Sequence, residues 1–482
     1  MRHQRNDIRR DYEAARSRKR ILWAAICANL FANINLSGVN VALPAIQKAL
    51  GLSAVAQVWV SSSLLLATAA VIAPAARLAD TWGRRKTTVL GLAVIIASSV
   101  CCGLADSAFM LLAGRVCMGL GLAMVFSATM AMAASVFPAD KRGLVFGYIV
   151  SAVYIGLAAG PGLCGLLVDL LGWESVFWLL ALIMMVPLAL LLTVRIDWAE
   201  AEGESYDYLG AILWCVALSL IFTGLTRLLV LEGILMTLAG AAFLLLFIRC
   251  QLKAEKPLLD LRLFASPRFS MASLAAFIAY SSAMSAIFLL SLYFQYIHGL
   301  SAKEAGLYLM LQPAVQALVT PFAGRLSDSR DPGRVAAAGL IITTIAFLLI
   351  SLNLSADTDI KIVLALLAVF GVGFAVFAAP NSNAVMSSVP VDKLGVASGI
   401  ITATRLSGQI FSLSFISLIF SAMMGEGHIT PDLAPKFLEA TRLSFMVFTP
   451  LCFAGALISL FRDNGGGTPS RRLKAKEIEA DV

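Results

Sequence analysis

Residues 75–86 have the sequence AARLADTWGRRK, which places one acid and four basic residues between two long apolar segments. A related stretch, FAGRLSDSRDPGR, occupies residues 322–334. Both copies keep a leucine, an aspartate, a glycine and an arginine in the same order, although the second has two extra residues before its glycine. Each copy ends one apolar segment and leads into the next. We therefore predict a chain built from two related halves, each with a charged turn between its second and third helices.

The composition indicates an integral membrane protein. Hydrophobic residues make up 59% of the chain and charged residues 14%, with a mean hydropathy of +0.86, whereas an ordinary soluble domain is about 25% charged. Fourteen apolar segments of about 20 residues match the hydrocarbon thickness of a bilayer, and they lack the period-two alternation of barrel strands. We predict an all-α fold with 14 transmembrane helices. The eight cysteines show no metal-ligand spacing, so we expect neither a metal nor a cofactor.

The distribution of basic residues predicts how the chain is oriented. Residues 1–20 are strongly basic, and most of the 37 lysines and arginines lie in connections on the same side as both termini. Because short basic connections stay in the cytoplasm, we expect both termini there, in a multi-pass protein of the cell membrane. The net charge of +8 then reflects topology in the lipid bilayer, and we expect no nucleic-acid partner.

An internal repeat extends beyond the charged turns. Seven residues of the first half recur as the same residue type 252 positions later. They are Pro138, Asp140, Lys141, Gly147, Gly156, Gly119 and Gly121. A shift of 252 positions corresponds to eight apolar segments. This is the distance expected between equivalent helices if each half has six helices and two further helices are inserted between the halves.

The repeat and the charge pattern together predict five regions. A basic cytoplasmic tail at 1–20 precedes a six-helix lobe at 21–195. An acidic linker with two inserted transmembrane helices occupies 196–264, and a second six-helix lobe occupies 265–462. The last region, 463–482, is rich in glycine and charged residues, so we predict a disordered cytoplasmic tail.

Two arginines fall inside apolar segments. Arg115 lies several residues inside the predicted bilayer, where an arginine costs about 2.5–3.5 kcal/mol, so it must face other helices or a wet cavity. It either anchors neighbouring helices through hydrogen bonds or takes part in the passage of a ligand or proton, and both interpretations stay open. Arg405 has an uncharged residue, Val153, at its repeat position. An unpaired cation there would suit an anionic or amphipathic ligand.

The first apolar segment carries neutral polar side chains. Asn33, Ser37 and Asn40 fall at i, i+4 and i+7 and so share one face of a helix, while Asn35 lies on another face. Such residues either hydrogen-bond across helices or line a cavity. We place these four residues, together with the two arginines, in a candidate cavity.

Several motifs together resemble those of a known family. They are the loop residues Leu78, Asp80, Gly83, Arg84 and Arg85, the helix residues Arg115, Gly119 and Gly121, the glycine-rich run Gly156, Gly160, Pro161, Gly162 and Gly165, and the stretch NVALPAI at 40–46. The chain resembles a transporter of the major facilitator superfamily, in the family of 14-helix drug:proton antiporters. The resemblance implies two six-helix lobes that rock around a midplane cavity. It also implies export of small amphipathic or drug-like molecules in exchange for H⁺, and we expect a monomer.

The resemblance assigns roles to two of these motifs. The charged turns would latch the lobes in one conformation, through Asp80, Gly83, Arg84 and Arg85 in the first half and through Asp328 and Arg334 in the second. The glycine-rich run corresponds to the family's antiporter motif. Its small residues let helix backbones meet closely, and Pro161 allows a bend.

The chain departs from the family pattern at three positions. Ala76 replaces the first glycine of the loop motif, and Glu174 replaces the arginine that follows the tryptophan at position 173. Most important, Asn35 stands where the family has an aspartate, and an amide exchanges no proton near neutral pH. None of the 29 acidic residues and none of the three histidines falls near the middle of a predicted span.

The missing acid keeps other functions open. One is uncoupled transport, or transport of lipids, amphiphiles or metabolites, and another is a sensor that kept the fold but lost transport. An enzyme would need a cluster of histidine and acid or of metal ligands, and three scattered histidines supply none, so we expect no enzyme. We expect an aspartate introduced at position 35 to bind a proton in an apolar site and so to restore pH dependence.

Overall fold

The computed structural model describes residues 2–461, apart from 138, 195, 200, 202, 203, 205, 255, 256, 390–393, 426, 428 and 430. This described part forms helices and contains no strand. Thirteen of its helices are long and apolar enough to cross a membrane. The tail predicted at 463–482 and part of the internal repeat, at 138 and 390–393, lie outside the described residues.

Fifteen α-helices follow one another along the described chain. Those of the first half are α1 (Arg2–Leu50), α2 (Ala54–Trp82), α3 (Arg84–Gly103), α4 (Ala108–Val136), α5 (Ala139–Leu171) and α6 (Glu174–Leu192). The inserted pair is α7 (Tyr208–Leu225) and α8 (Leu231–Lys253). Those of the second half are α9 (Pro267–Tyr296), α10 (Ala302–Leu309), α11 (Leu311–Ser329), α12 (Pro332–Asn353), α13 (Ile360–Ser387), α14 (Leu394–Met424) and α15 (Ala434–Phe461).

Two helix boundaries differ from the sequence-based expectation. The basic region predicted as a tail continues α1, which begins at Arg2, because its arginines, alanines and glutamate are good helix formers. The tenth apolar segment is divided into α10 and α11 at Met310. Pro313 explains this division, because a proline has no N–H to donate to the carbonyl of Leu309 and its ring crowds that carbonyl. The backbone bonds from Met310 to Gly306 and from Ala314 to Met310 remain, so α10 and α11 form one interrupted segment.

The same pairs of helices pack together in both halves. In the first half α5 packs on α1, α4 packs on α2 and α3, and α6 packs on α1 and α3. In the second half α14 packs on α9, α13 packs on α11 and α12, and α15 packs on α9 and α12. The repeat partners Gly121 and Gly373 allow equivalent close approaches, since a Cβ at either would lie within 3 Å of the neighbouring helix backbone. The fold therefore has two six-helix lobes of matching arrangement.

The inserted helices lie beside the seam between the lobes. Helices α7 and α8 pack on each other, and α7 also contacts α2 of the first lobe and α14 of the second. The indole Nε1 of Trp214 donates to the carbonyl of Ala69 at 3.3 Å, and the hydroxyl of Ser414 donates to the carbonyl of Phe222 at 3.2 Å. Because α8 is the least buried of the candidate spans, the pair adds a peripheral layer rather than a third lobe.

The lobes make close contacts at one end of the molecule. We call the end at which α1 begins and α15 finishes the terminal face, and the other end the opposite face. At the opposite face the hydroxyl of Ser291 donates to the carbonyl of Asn40 at 2.9 Å, and the amide of Gln295 donates to the carbonyl of Val41 at 3.1 Å. Helix α5 packs closely on α10 but only lightly on α11. Along α5, the cleft between the lobes is therefore closed at the opposite face and widens toward the terminal face, while α2 and α14 also pack on each other across the lobes.

Candidate functional site

Arg115 joins three helices of the first lobe. Its side chain is 1% exposed, and Nε donates to the carbonyl of Val60 on α2 at 2.8 Å. Nη1 donates to Oδ1 of Asn35 on α1 at 3.0 Å. Of the two roles that the sequence left open, the described geometry favours a hydrogen-bonded anchor between α1, α2 and α4.

Asn35 keeps one polar group without a partner. Its Oδ1 accepts from Arg115, and because a guanidinium can only donate, this contact fixes which way the amide points. Its Nδ2 is buried and has no hydrogen-bond partner among the described residues, which costs about 1–3 kcal/mol. An aspartate at this position would face the positive charge of Arg115, so the apolar surroundings expected from the sequence are incorrect.

The other polar residues of α1 form a packing surface. Nδ2 of Asn33 donates to the carbonyl of Asn29 at 2.8 Å, and the hydroxyl of Ser37 donates to the carbonyl of Asn33 at 2.9 Å. Oδ1 of Asn40 accepts from the hydroxyl of Ser61 on α2 at 2.8 Å. All three predicted cavity residues are buried. In this structure they contact neighbouring helices instead of an open cavity.

The glycine-rich run of α5 serves two contacts. Gly156 and Gly160 face α1, where a Cβ at 160 would overlap the hydroxyl of Ser37 and lie 2.5 Å from the carbonyl oxygen of Ile34. Gly162 and Gly165 face α10 of the other lobe, where added Cβ atoms would overlap Met310 and the carbonyl of Ala302. Pro161 lies against Gly306 of α10 in the same contact. The motif therefore holds one lobe together and also closes the opposite face.

A carboxylate strengthens this contact between the lobes. Asp169, near the end of α5, accepts from the backbone N–H groups of Ala302 and Lys303 at 3.2 and 3.1 Å. These N–H groups begin α10 and have no partner within their own helix, and the positive end of the helix dipole also favours the carboxylate. No local pattern in the sequence indicated this partner for Asp169.

Arg405 is the predicted cavity residue that is partly exposed, whereas the other five are buried. Its guanidinium carbon lies 5.8 Å from the centroid of the Tyr280 ring on α9. Tyr154 of α5 is close enough to interact electrostatically with both groups. All three side chains are partly exposed and come from the middle of their helices, with Tyr154 supplied by the opposite lobe. Arg405 and Tyr280 of the second lobe are therefore in contact, with Tyr154 of the first lobe within electrostatic range of both.

The first charged turn is held together by ion pairs and backbone contacts. Arg84 donates to Oδ1 of Asp80 through Nη2 at 2.8 Å and through Nε at 3.0 Å. It also reaches α4, where it contacts the carbonyl of Ala131 and the hydroxyl of Ser135. Nε of Arg85 donates to the carbonyl of Leu191 on α6 at 3.0 Å. These contacts join helices of the first lobe to one another.

The turn uses a backbone conformation that favours glycine. Gly83 has φ 124°, and a Cβ there would lie 2.5 Å from a carboxylate oxygen of Asp197. Asp197 accepts from the backbone N–H groups of Arg85 and Lys86 at 2.9 and 3.3 Å, so it caps the start of α3. The sequence did not reveal this role, although an acidic linker and a basic turn in the same lobe were the available signal.

The acidic linker after α6 packs beside the turn. Glu204 pairs with Arg77 at 2.7 Å, and the N–H of Ala201 donates to the carbonyl of Asp80 at 3.0 Å. The hydroxyl of Tyr206 donates to the carbonyl of Pro74 at 3.1 Å. Burial raises the pKa of Tyr206 to about 12, so this hydroxyl keeps its proton through the physiological range. These contacts thus attach the described linker residues to the end of α2, beside the turn.

The second charged turn has a different arrangement. Asp331 accepts from the N–H of Gly333 at 2.7 Å and so caps α12. Arg334 lies 3.7 Å from Asp331, and its side chain is 81% exposed. The helix position of Asp328 is described, whereas its side chain lies outside the described part. The first turn therefore holds a partly buried ion pair, whereas the pair described in the second turn, between Asp331 and Arg334, is more exposed.

The role of the first turn as a latch is a proposal that one substitution tests. Asp80→Asn keeps the side-chain size but removes the charge that faces Arg84, which we expect to lower the free energy of unfolding by only about 1 kcal/mol. Flux in proteoliposomes should fall while the variant still folds and inserts. Glu232→Gln, at an exposed acid of the opposite face, is the matched control. If Asp80→Asn showed wild-type flux, the first turn would not act as a latch that transport requires.

Comparison with known proteins places the fold in a family. A family model for the Major Facilitator Superfamily matches residues 25–205 and 272–479. The riboflavin transporter RibZ of Clostridioides difficile (strain 630) is 24% identical over 450 residues, which cover 92% of this chain and 97% of the relative. The drug efflux pump JefA of Mycobacterium tuberculosis (strain CDC 1551 / Oshkosh) is 30% identical over 411 residues, which cover 82% of this chain and 78% of the relative. The multidrug resistance protein Stp of the same strain is 29% identical over 400 residues, 80% of this chain and 73% of the relative.

A solved structure has the same fold. The crystal structure of a bacterial homolog to the human lysosomal transporter Spinster, in an inward-facing and unoccupied conformation, superposes with a TM-score of 0.66. The two chains are 20% identical, and the match covers 92% of this chain and 97% of the other. At this identity the likeness concerns the fold alone, whereas the family model covers most of the chain. The chain therefore belongs to the Major Facilitator Superfamily of membrane transporters.

Proposed function

We propose that this transporter exports small amphipathic or drug-like compounds by alternating access. The cleft carries the proposal, because it is closed where α5 meets α10 and widens where α5 meets α11. A rocking of one lobe against the other would exchange these two contacts. Two relatives named for drug efflux or multidrug resistance support the direction of transport and the substrate class.

A metabolite transporter is the second candidate. The riboflavin transporter RibZ matches over nearly the full length of both chains. Asn35 also points away from the family's usual mechanism, since it occupies the position of the expected acid and bonds to Arg115. Both candidates share the same two lobes and cleft, and they differ in the chemistry of the substrate.

We propose that transport is not driven by a proton gradient. Within the described helices, the acidic residues of the apolar spans lie in the first or last two turns, as Asp80 and Asp169 illustrate. A proton carrier is usually a titratable group inside the pathway. The absence of such a group from the described spans supports uncoupled transport, or transport driven by something other than protons.

We also propose 14 membrane spans with both termini in the cytoplasm. The thirteen candidate spans, together with the interrupted segment α10–α11, make an even number of crossings, and the basic connections lie on the terminal face. In a variant without the native cysteines, an impermeant thiol reagent should label Lys361→Cys, on the opposite face, from outside the cell and leave Arg5→Cys unlabelled. Labelling of Arg5→Cys from outside would reverse the topology.

The function is tested by flux in proteoliposomes of purified protein. Three fluorescent probes separate the candidates, namely cationic ethidium, neutral riboflavin and the anion naphthalene-2-sulfonate. Protein-dependent flux of at least one probe, above the rate in protein-free liposomes, is the expected result, and the preferred probe distinguishes drug from metabolite transport. Rates equal to those of protein-free liposomes for all three probes would contradict transport of this class.

A further inference from the structure

A cation and aromatic rings meet between the two lobes at mid-membrane. Arg405 of α14 lies over the ring of Tyr280 of α9, with 5.8 Å from the guanidinium carbon to the ring centroid. Tyr154 of α5 approaches both groups from the other lobe. Each side chain keeps exposed surface, and each comes from the central part of a long helix. A molecule in the cleft could therefore touch all three.

The described residues supply no neighbouring acid that would balance the charge of Arg405. Among the residues that the structure describes, no carboxylate lies within salt-bridge distance of Arg405. A guanidinium at this depth is costly unless it faces a wet cavity or a counter-ion. Arg115, by contrast, is fully buried and hydrogen-bonded to the protein. Arg405 is therefore the arginine that remains available to a ligand.

An unsatisfied amide lies on the same face of α14. Gln409 follows Arg405 by four residues, which places both side chains on one side of the helix. Oε1 of Gln409 is buried and has no hydrogen-bond partner among the described residues. The surface thus offers a fixed cation and, one turn away, an acceptor for an O–H or N–H group.

The walls beside this polar pair are aromatic. Tyr280 packs edge-on against Phe374 with 5.3 Å between ring centroids, and Phe277 lies 5.4 Å from Phe411. Phe277 and Phe411 are partly exposed. Such rings favour flat, apolar groups through offset stacking and edge contacts. The surroundings therefore suit a planar aromatic body whose charged end reaches Arg405.

We propose that Arg405, Tyr154 and Tyr280 form a subsite for the anionic group of a planar aromatic substrate, with Gln409 one turn away to accept from a donor group elsewhere on that substrate. The proposal rests on the proposed transport function and names its substrate class. Arg405 would bind a carboxylate or sulfonate through paired N–H donors, and the phenols would donate further hydrogen bonds. Because no described acid lies within salt-bridge distance of Arg405 to attract a cation, cationic aromatic compounds would bind more weakly than their anionic analogues.

Binding to the purified full chain tests the subsite. The protein is placed in nanodiscs of phosphatidylcholine alone, which excludes anionic lipids, and titrated calorimetrically with naphthalene-2-sulfonate, neutral naphthalene-2-sulfonamide and the cation 2-naphthyltrimethylammonium. The sulfonate should bind most tightly. Arg405→Gln should weaken sulfonate binding about 10-fold to 100-fold, as expected for loss of a charged hydrogen bond, and leave sulfonamide binding nearly unchanged.

Three control variants separate local from general effects. Arg227→Gln removes an exposed cation of the opposite face and should bind all three compounds like the wild type. Tyr280→Phe keeps the ring and should retain more sulfonate affinity than Tyr280→Leu. Thermal unfolding verifies that each variant is folded. Equal binding of the three compounds, no binding of the sulfonate to the wild type, or unchanged affinity in a folded Arg405→Gln would overturn the subsite.

The proteoliposome probes keep this proposal distinct from the proposed function. Flux of ethidium or riboflavin without binding of the sulfonate would retain transport and reject the subsite. Sulfonate binding that depends on Arg405, without flux of any probe, would retain the subsite and reject transport.

Discussion

Replacing Gly160 with leucine is expected to prevent the close packing of α1 on α5 and to lower the yield of folded protein sharply. A side chain at 160 would overlap the hydroxyl of Ser37 and crowd the backbone carbonyl of Ile34. A backbone carbonyl cannot move aside as a flexible side chain can, so the free energy of unfolding should fall by about 3 kcal/mol or more. Thermal unfolding and the monodisperse fraction after detergent extraction measure this effect.

Gly147 provides a matched control on the same helix. A Cβ at 147 would have no atom within 4 Å, and leucine has a higher helix propensity than glycine. Gly147→Leu should therefore unfold at or slightly above the wild-type temperature. If Gly160→Leu unfolded like Gly147→Leu, the glycines would not be required by the contact between α1 and α5.

Replacing Asn35 with aspartate is expected to create a buried ion pair with Arg115. The oxygen of Asn35 already accepts from Arg115 at 3.0 Å, and the substitution exchanges the unsatisfied Nδ2 for a second oxygen. Charge-assisted hydrogen bonds are roughly twice as strong as neutral ones. The guanidinium should hold the carboxylate charged, so Asn35→Asp alone should leave flux independent of pH between about 6 and 8.

A double substitution provides the contrast. Asn35→Asp combined with Arg115→Gln leaves the carboxylate buried without a cation, and a buried carboxylate tends to take up a proton. Its flux should then change with pH, while Arg115→Gln alone should not show this change. Proteoliposome flux across that pH range is the measurement. A pH response in the single variant Asn35→Asp would show that Arg115 does not hold the carboxylate charged.

The arrangement of helices followed from the sequence where a pattern was repeated. The recurrence of residues such as Gly121 and Gly373 at one spacing predicted equivalent helices, and these helices make equivalent contacts. Hydropathy placed the tenth segment but not its division at Met310, because hydropathy does not register the loss of one backbone N–H at Pro313. The charges of residues 2–20 suggested the orientation of the chain. The same charges led to the prediction of a separate tail, whereas these residues form the beginning of α1.

The partners of polar residues were harder to predict. The spacing of Asn33, Ser37 and Asn40 gave a shared face correctly, but in a membrane protein a polar face suits a helix contact as well as a cavity. Asp197 lies 112 positions from the N–H of Arg85 that it accepts from, and no local pattern links the two. Tyr280 and Tyr154 were not predicted as site residues for the same reason, because they lie far from Arg405 in the sequence and only the fold brings them near it.

We propose that this transporter works without a proton carrier, because the described membrane spans hold acidic residues only in their first or last two turns. The most direct measurement is flux of the preferred probe in proteoliposomes with and without an imposed pH gradient, with pyranine inside the vesicles to follow protons. We predict equal rates in the two conditions and no protein-dependent proton movement. A rate that rises several-fold with the gradient, falls when a protonophore is added and is accompanied by proton flux would contradict the account.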